Sequence, residues 1–320
     1  MYFKKLVHPE FFQGNHKKNN YFEGWYYKFV SHDELTTVAL IPGVSINKED
    51  KHAFIQVFLS KNTGNDVSLK TVYFRFDFNE FKFDHKQFSV SIGKNTFTKK
   101  RVSLSLSNEE ISLEGSLKIE NLTPIKASVL VPNIMGFFGY FNFMECYHGI
   151  VSMSHNLVGS LKINQNPVLF EGGKGYIEKD WGKSFPRSYV WLQSNHFRES
   201  STSFMFSYAD IPFLGLYFRG LIANLIYRDK EYRFATYNGA KIKKEMIGKG
   251  IVEYTIKRGR YTLEIKAQSN HQINLASPKN GKMIEQIKEG LSGKIHIALY
   301  KGKNLIFEDE GLHAGIEIMM

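Results

Sequence analysis

Apolar side chains that recur at every second position are the dominant pattern in the first half of this chain. The pattern runs through residues 52–60, 71–78, 102–106 and 111–119. A period of two predicts β-strands, because successive side chains of a strand point to opposite faces. Each of these strands would therefore have one face against a core or cavity and the other toward water.

The second half continues this pattern with more aromatic residues. Aromatic strands are predicted at 189–197, 204–208, 214–227 and 232–237. A glycine between two alternating runs is a hairpin signal. Such hairpins are predicted for 251–257 with 261–267, around Gly259, and for 294–300 with 304–308, around Gly302.

The order of these elements predicts the fold class. One short helix is expected at about 281–289, because a proline lies just before it and a glycine ends it. Many antiparallel strands with one late helix favour an all-β fold of two antiparallel domains, each a barrel or sandwich, over an α/β fold. We place the domains at residues 1–170 and 171–320, because polar residues at 164–167 and the glycines that follow interrupt the strand pattern.

Composition limits the partners of the chain. Of its 320 residues, 42% are hydrophobic and 15% aromatic, which is enough for a substantial core. Lys and Arg outnumber Asp and Glu by 42 to 31, a formal net charge of +11, and this charge would suit nucleic acid or an anionic membrane. Dense Lys/Arg tracts and nucleic-acid-binding motifs are absent, so we expect a solvated basic face and no nucleic-acid partner.

The single cysteine, Cys146, cannot form a disulfide within the chain. This fits a reducing compartment, and we expect a cytoplasmic protein. Residues 1–9 have neither an apolar region nor a small-residue cleavage site, so no signal peptide is indicated. No uninterrupted apolar run is long enough to span a bilayer, and the oligomeric state stays open.

Residues 127–144 depart from the alternation and contain no charged side chain. Pro132, Gly136 and Gly139 argue against a helix that spans a membrane. Two interpretations remain. The segment is either a loop packed over the core, or an aromatic lid or docking loop in peripheral contact with the inner membrane.

The segment 172–186 reads Gly-Gly-Lys-Gly-Tyr-Ile-Glu-Lys-Asp-Trp-Gly-Lys-Ser-Phe-Pro and suggests polar chemistry at the mouth of an apolar cavity. Its first glycines lack the Gly-Lys-Ser/Thr ending and the helix of a phosphate-binding loop. Two interpretations stay open. In one, the segment is a turn between domains in which Asp180 caps the backbone and Lys179 pairs with an acid. In the other, Glu178 or Asp180 lies in a desolvated pocket, where a carboxyl holds its proton at neutral pH.

A second motif, residues 21–28, places glycine before Trp25 at the start of the first strand. This arrangement is typical of lipocalin-like barrels, in which the tryptophan closes the barrel floor. Trp25 and Tyr27 would share one face of the strand. We interpret Trp25 as a core residue, whereas Glu23 could face the cavity.

A third motif lies at residues 144–149. Alternation would place Glu145 and Tyr147 on one face and Cys146 and His148 on the other. A metal site of Cys146, His148 and His155 matches no zinc spacing, so we expect no metal. A Cys–His nucleophile pair is also weakly indicated, and His148 or Glu145 is interpreted instead as a polar group that faces a ligand.

Four blocks of the sequence resemble the tocopherol cyclase family: residues 22–28, residues 144–153, residues 175–186 together with 191–195, and residues 314–318. The resemblance implies two lipocalin-like β domains. It also implies a cofactor-free enzyme that closes a chromanol ring on a prenylated quinol, and the Lys- and Asn-rich composition suggests a bacterial member. The alternatives are a lipid or isoprenoid carrier without chemistry and another acid-catalysed isomerisation or hydration of a terpenoid.

Ring closure of this kind needs an acid, aromatic faces for a cation and a dry cavity. The expected catalytic acids are Glu178, Asp180 and Glu145, with Glu23 behind them. The partner would be a hydrophobic small molecule. The residues expected to bind it are Trp25, Tyr27, Tyr147, His148, Trp181, Trp191, Gln193 and Asn195.

Overall fold

A computed structural model of the chain describes residues 2–64, 66–213, 215–269 and 271–320, and 65% of it is strand. The predicted all-β class is confirmed. Leu214, the first residue of the predicted strand 214–227, lies outside the described residues. A short helix, α1, covers Tyr2–Val7, and 3₁₀ turns occur at Phe78–Glu80, Gly136–Tyr140 and Thr236–Asn238.

The first sheet contains these strands: β1 (Tyr21–Val30), β2 (Thr36–Ile46), β3 (His52–Asn62), β4 (Val67–Asp77), β5 (Phe81–Phe83), β6 (Ser89–Ile92), β7 (Asn95–Thr98), β8 (Arg101–Ser107), β9 (Ser112–Glu120), β10 (Cys146–Ile163), β11 (Asn166–Leu169) and β12 (Lys174–Gly182). Their order is β4-β3-β2-β1-β12-β10-β9-β8-β7-β6-β5, and β11 pairs with β10. The late strand β12 therefore inserts between β1 and β10.

The second sheet contains these strands: β13 (Tyr189–Ser194), β14 (Ser203–Phe213), β15 (Leu216–Tyr227), β16 (Lys230–Ala235), β17 (Lys241–Gly248), β18 (Ile251–Arg258), β19 (Tyr261–Gln268), β20 (Ile273–Lys279), β21 (Lys282–Lys301) and β22 (Asn304–Met319). Their order is β16-β15-β14-β13-β22-β21-β19-β18-β17, and β20 pairs with β21. Both predicted hairpins, β18–β19 and β21–β22, are confirmed.

Each sheet has its own hydrophobic core, built from alternate positions of its strands. In the first core, Trp25 and Tyr27 are fully buried, and Trp25 stacks on Phe88 with ring centroids 5.9 Å apart. The second core includes Leu192 and Phe206, also fully buried. Burying one such side chain contributes about 1.5–3 kcal/mol, so the alternation read from the sequence determines which face of each strand is inside.

The chain divides into two compact units. The first comprises Met1–Met135, Asn142–Phe185 and Ala276–Gln286, and the second comprises Gly136–Phe141, Pro186–Leu275 and Ile287–Met320. The boundary expected at 170/171 falls within the first unit, because β12 pairs with both β1 and β10.

The helix predicted at 281–289 is wrong, since this segment belongs to β21. Asn280 and Gly281 have φ values of 51° and 75° and form the turn between β20 and β21. Pro278 lies within β20 and Gly290 within β21, so neither residue bounds a helix. Ser45 Oγ donates a hydrogen bond to the Gly281 carbonyl at 2.6 Å. Pairing of this segment with β20 and, at its end, with β22 thus outweighs local helix propensity.

The uncharged segment 127–144 is irregular in the structure. Its first part, in the first unit, forms a tight turn in which the backbone groups of Ser128 and Val131 bond to each other. The turn exposes Val129 by 84% and Leu130 by 80%. Residues 136–141 belong to the second unit. Contact of this segment with a membrane stays a prediction, and no helix among the described residues is long and apolar enough to cross a bilayer.

Candidate active site

The pairing of β10 with β12 brings two of the sequence motifs together. His148 lies directly opposite Asp180, and Glu178, two residues earlier on β12, shares the same face. His148 Nδ1 is 2.8 Å from Asp180 Oδ1, and His148 Nε2 is 3.4 Å from Glu178 Oε2. The imidazole therefore lies between the two carboxylates that the sequence identified as candidate acids, with a hydrogen bond to Asp180 and a longer ion-pair contact with Glu178.

Tyr176 extends this cluster toward the interior. It precedes Glu178 by two residues, is completely buried, and donates its hydroxyl hydrogen to Glu178 Oε2. Burial, and the carboxylate of Glu178, raise the pKa of Tyr176 well above its usual range, so the phenol stays protonated. The sequence motifs did not single out Tyr176, although the period of two through 176, 178 and 180 could have indicated it.

His148 carries the positive charge of the cluster. Burial by itself lowers the pKa of this imidazole, but the carboxylates of Asp180 and Glu178 outweigh burial and raise its pKa to about 9. His148 is therefore an imidazolium at neutral pH. The side chains of Asp180 and His148 are 24% and 15% exposed, whereas that of Glu178 is 5% exposed, so the cluster runs from an accessible end to a buried end.

The same three side chains could hold a divalent cation. One ligand atom from each of His148, Glu178 and Asp180 lies within 4.8 Å of the others. Metals bind the neutral imidazole, so a cation would have to displace the proton that the two carboxylates hold on His148. The expectation that the protein uses no metal stays a prediction.

Two further residues belong to the third motif, and a catalytic role of Glu145 stays a prediction. Cys146 begins β10, and burial, together with nearby carboxylates, raises the pKa of its thiol well above the usual range. The thiol therefore lacks the thiolate character of a nucleophile. Among the described residues, the group of possible metal ligands formed by His148, Glu178 and Asp180 does not include Glu145. The backbone carbonyl of Glu145 accepts a hydrogen bond from the Lys183 N–H at 2.7 Å.

The segment proposed as a turn between domains is the regular strand β12, and its other face carries structural residues. Lys179 is completely buried, forms an ion pair with Glu23, and donates to the carbonyls of Pro9 and Phe11 at 2.8 and 2.6 Å. Burial lowers the pKa of Lys179 to about 8 against the opposing effect of Glu23. The interpretation that Lys179 pairs with an acid is confirmed, and this acid is Glu23.

Several expected ligand-binding residues surround this ion pair. Lys179 Nζ lies 4.8 Å from the ring centroid of Trp25 and 4.7 Å from that of Trp181. Tyr147 stacks on Trp181 at 5.4 Å, and Tyr27 is completely buried in the first core. These aromatic residues pack within the first unit, and a role for them in ligand binding stays a prediction.

The remaining expected residues, Trp191, Gln193 and Asn195, belong to the second unit. Trp191 and Gln193 alternate along β13 with the core residue Leu192, so they lie on the face opposite the second core. Trp191 is 5% exposed and the other two are completely buried. Their role as ligand contacts also stays a prediction.

The two sheets with separate cores define an all-β protein of the lipocalin-like, two-sheet class. Residues 130–319 match the model of the tocopherol cyclase-like family. This chain belongs to that family.

Solved structures share the fold at low sequence identity. Kievitone hydratase from Nectria haematococca is 11% identical, with a TM-score of 0.54 over 92% of this chain and 88% of that one. CghA in complex with Sch210972 is 10% identical, with a TM-score of 0.57 over 94% of this chain and 88% of that one. At these identities the likeness shows the fold alone. No curated protein sequence matches the chain.

Proposed function

We propose that this protein is a cofactor-independent enzyme that protonates an alkene of an isoprenoid phenol and closes a chromanol-type ring. The observation that carries the proposal is the position of the His148 imidazole, 2.8 Å from Asp180 Oδ1 and 3.4 Å from Glu178 Oε2. Membership of the tocopherol cyclase-like family supports the same reaction class.

The proposed reaction begins at the buried end of the cluster. His148 passes its proton from Nε2 to Glu178, and Glu178 donates it to the less substituted carbon of the alkene. The side chain of Glu178 is 5% exposed, so this transfer would take place away from bulk water. Asp180 orients the imidazole through Nδ1 and stabilises its charge, and Tyr176 fixes the carboxyl of Glu178.

The second half of the reaction returns the proton. Protonation breaks the π bond, forms a C–H bond and leaves a tertiary cation, which the phenol oxygen captures by forming a C–O bond. The O–H bond breaks, and its proton returns to the cluster. The product is an isomer of the substrate, so the cycle consumes no electrons and no net proton. A group that both gives and accepts a proton is therefore sufficient.

Deuterium incorporation tests this route directly. The purified protein, incubated in D₂O with a monoprenylated hydroquinone, is expected to form a chromanol with one deuterium on the ring methylene beside the quaternary carbon. Mass spectrometry after back-exchange of the hydroxyl groups in water measures it. A chromanol without carbon-bound deuterium would contradict protonation. Recovery of unchanged quinol bound to the protein would indicate a carrier instead.

The pH dependence of turnover reports the proton on His148. Its folded-state pKa of about 9 lies above the ordinary value of 6.5, so its contribution to stability is complete below about 6.5 and is lost as pH rises through about 9. Turnover is expected to fall over the same upper range, because the cluster then has no proton to donate. A pH–rate profile measures this, and a flat profile between pH 7 and 10 would exclude His148 as the proton source.

A further inference from the structure

The face of the second sheet opposite its core is lined by buried side chains. Strand register aligns Gln193, Met205, Asn224 and Arg233 in one row across β13, β14, β15 and β16. These positions alternate with core residues such as Ala223. Gln193, Met205 and Asn224 are 0% exposed and Arg233 is 9% exposed. A sheet face that carries polar groups out of contact with water needs hydrogen-bond partners for them.

Asn224 lacks such partners. Among the described residues, neither its Oδ1 nor its Nδ2 makes a hydrogen bond. Asn238, in the same unit, shows the usual situation: its Oδ1 accepts from the Ala235 N–H at 3.0 Å, and its Nδ2 donates to the Arg233 carbonyl at 3.1 Å. A buried amide with both groups unpaired is costly, so Asn224 is placed to bond with a group outside the chain.

The neighbours of Asn224 indicate which group this is. Ser203, on the same face of β14, is 0% exposed, and its Oγ also has no hydrogen-bond partner within the described part of the chain. Met205, directly opposite Asn224, is apolar. The guanidinium of Arg233 is neutralised by Glu231, with Nε 2.7 Å from Oε1. The site therefore presents a donor, an acceptor and a hydroxyl with no net charge.

We propose that Asn224 and Ser203 form a ligand-binding site in the second unit for a neutral phenolic or quinone oxygen. An amide donates to such an oxygen through Nδ2 and accepts from a phenol O–H through Oδ1. An anion would find no uncompensated positive charge here. The inference goes beyond the proposed function, on which it rests for the phenolic substrate class.

Replacing Asn224 by leucine separates ligand binding from structure. Asn224→Leu removes both unpaired groups, so the ligand-free protein is expected to keep or raise its melting temperature. Its affinity for a monoprenylated hydroquinone, measured by calorimetry, is expected to fall on the order of tenfold. Asn238→Leu is the matched control. It is expected to lower the melting temperature, because it removes two satisfied hydrogen bonds, and to leave the affinity unchanged.

Several results would overturn this site. One is that Asn224→Leu lowers the melting temperature as much as Asn238→Leu does. Another is that Asn224→Leu leaves the affinity for the quinol unchanged. A third is that the wild-type protein does not bind the quinol. The test is independent of the reaction. If the quinol binds in a way that depends on Asn224 but no chromanol forms, the proposed cyclisation is contradicted and the proposed binding site is retained. Chromanol formation with unchanged affinity in Asn224→Leu would overturn the site alone.

Discussion

His148→Gln is expected to lower the turnover of a monoprenylated quinol by about 10²–10⁴-fold, the usual contribution of a general acid–base group. Glutamine keeps a polar side chain between Asp180 and Glu178, but its amide cannot act as an acid at neutral pH. Glu178→Gln is expected to lose activity to a similar extent, because it removes the group that delivers the proton. Turnover rates of the folded, purified variants measure both effects.

His148 and Glu178 are expected to act together in one proton transfer. The double variant His148→Gln/Glu178→Gln should therefore be no slower than either single variant, since the second change removes a function that is already lost. Glu145→Gln serves as the matched control, because it makes the same chemical change at an acid outside the cluster, and it should keep wild-type turnover. Wild-type turnover in Glu178→Gln would refute the assignment of the acid.

Lys179→Met is expected to lower the free energy of unfolding by about 3–5 kcal/mol, because it leaves a buried charge without its partner. The Glu23 carboxylate is 0% exposed and would remain beside the backbone N–H groups of Gln13 and Gly14, which donate to it at 2.8 and 2.9 Å. Adding Glu23→Gln should restore much of this loss, since it removes the uncompensated charge. Urea denaturation followed by tryptophan fluorescence measures the difference.

An exposed ion pair in the same unit provides the comparison. Lys118 pairs with Glu120 on β9, and their side chains are 55% and 39% exposed. Lys118→Met is expected to change stability by no more than about 1 kcal/mol, because solvent screens the pair. Equal unfolding midpoints for Lys179→Met and Lys118→Met would mean that the buried pair contributes nothing beyond a surface pair.

Local patterns were sufficient for much of the architecture. The alternation at 52–60 and 111–119 predicted β3 and β9 within a few residues, because strand periodicity depends only on consecutive side chains. The same reasoning failed at 281–289. Pro278 and Gly290 around a mixed segment predicted the two ends of a helix, but both residues lie within paired strands, β20 and β21.

The candidate site shows the same division between local and distant information. Composition and motif indicated Glu178, Asp180 and His148 separately, but the acids and the histidine are about thirty residues apart in sequence. Their contact depends on the register of β10 against β12, which no local pattern encodes. Asn224 gave no signal at all, because an asparagine within an aromatic strand becomes notable only when its burial and its unpaired groups are known.

The amino-acid sequence alone established an all-β chain, its main strands, two hairpins and the residue types that carry acid–base chemistry. Each of these depends on side chains close together along the chain. The three-dimensional structure decided which residues meet: the imidazolium between two carboxylates, the buried Glu23–Lys179 pair and the unpaired amide of Asn224. These are properties of strand register and burial, and both arise only when segments distant in sequence pack together.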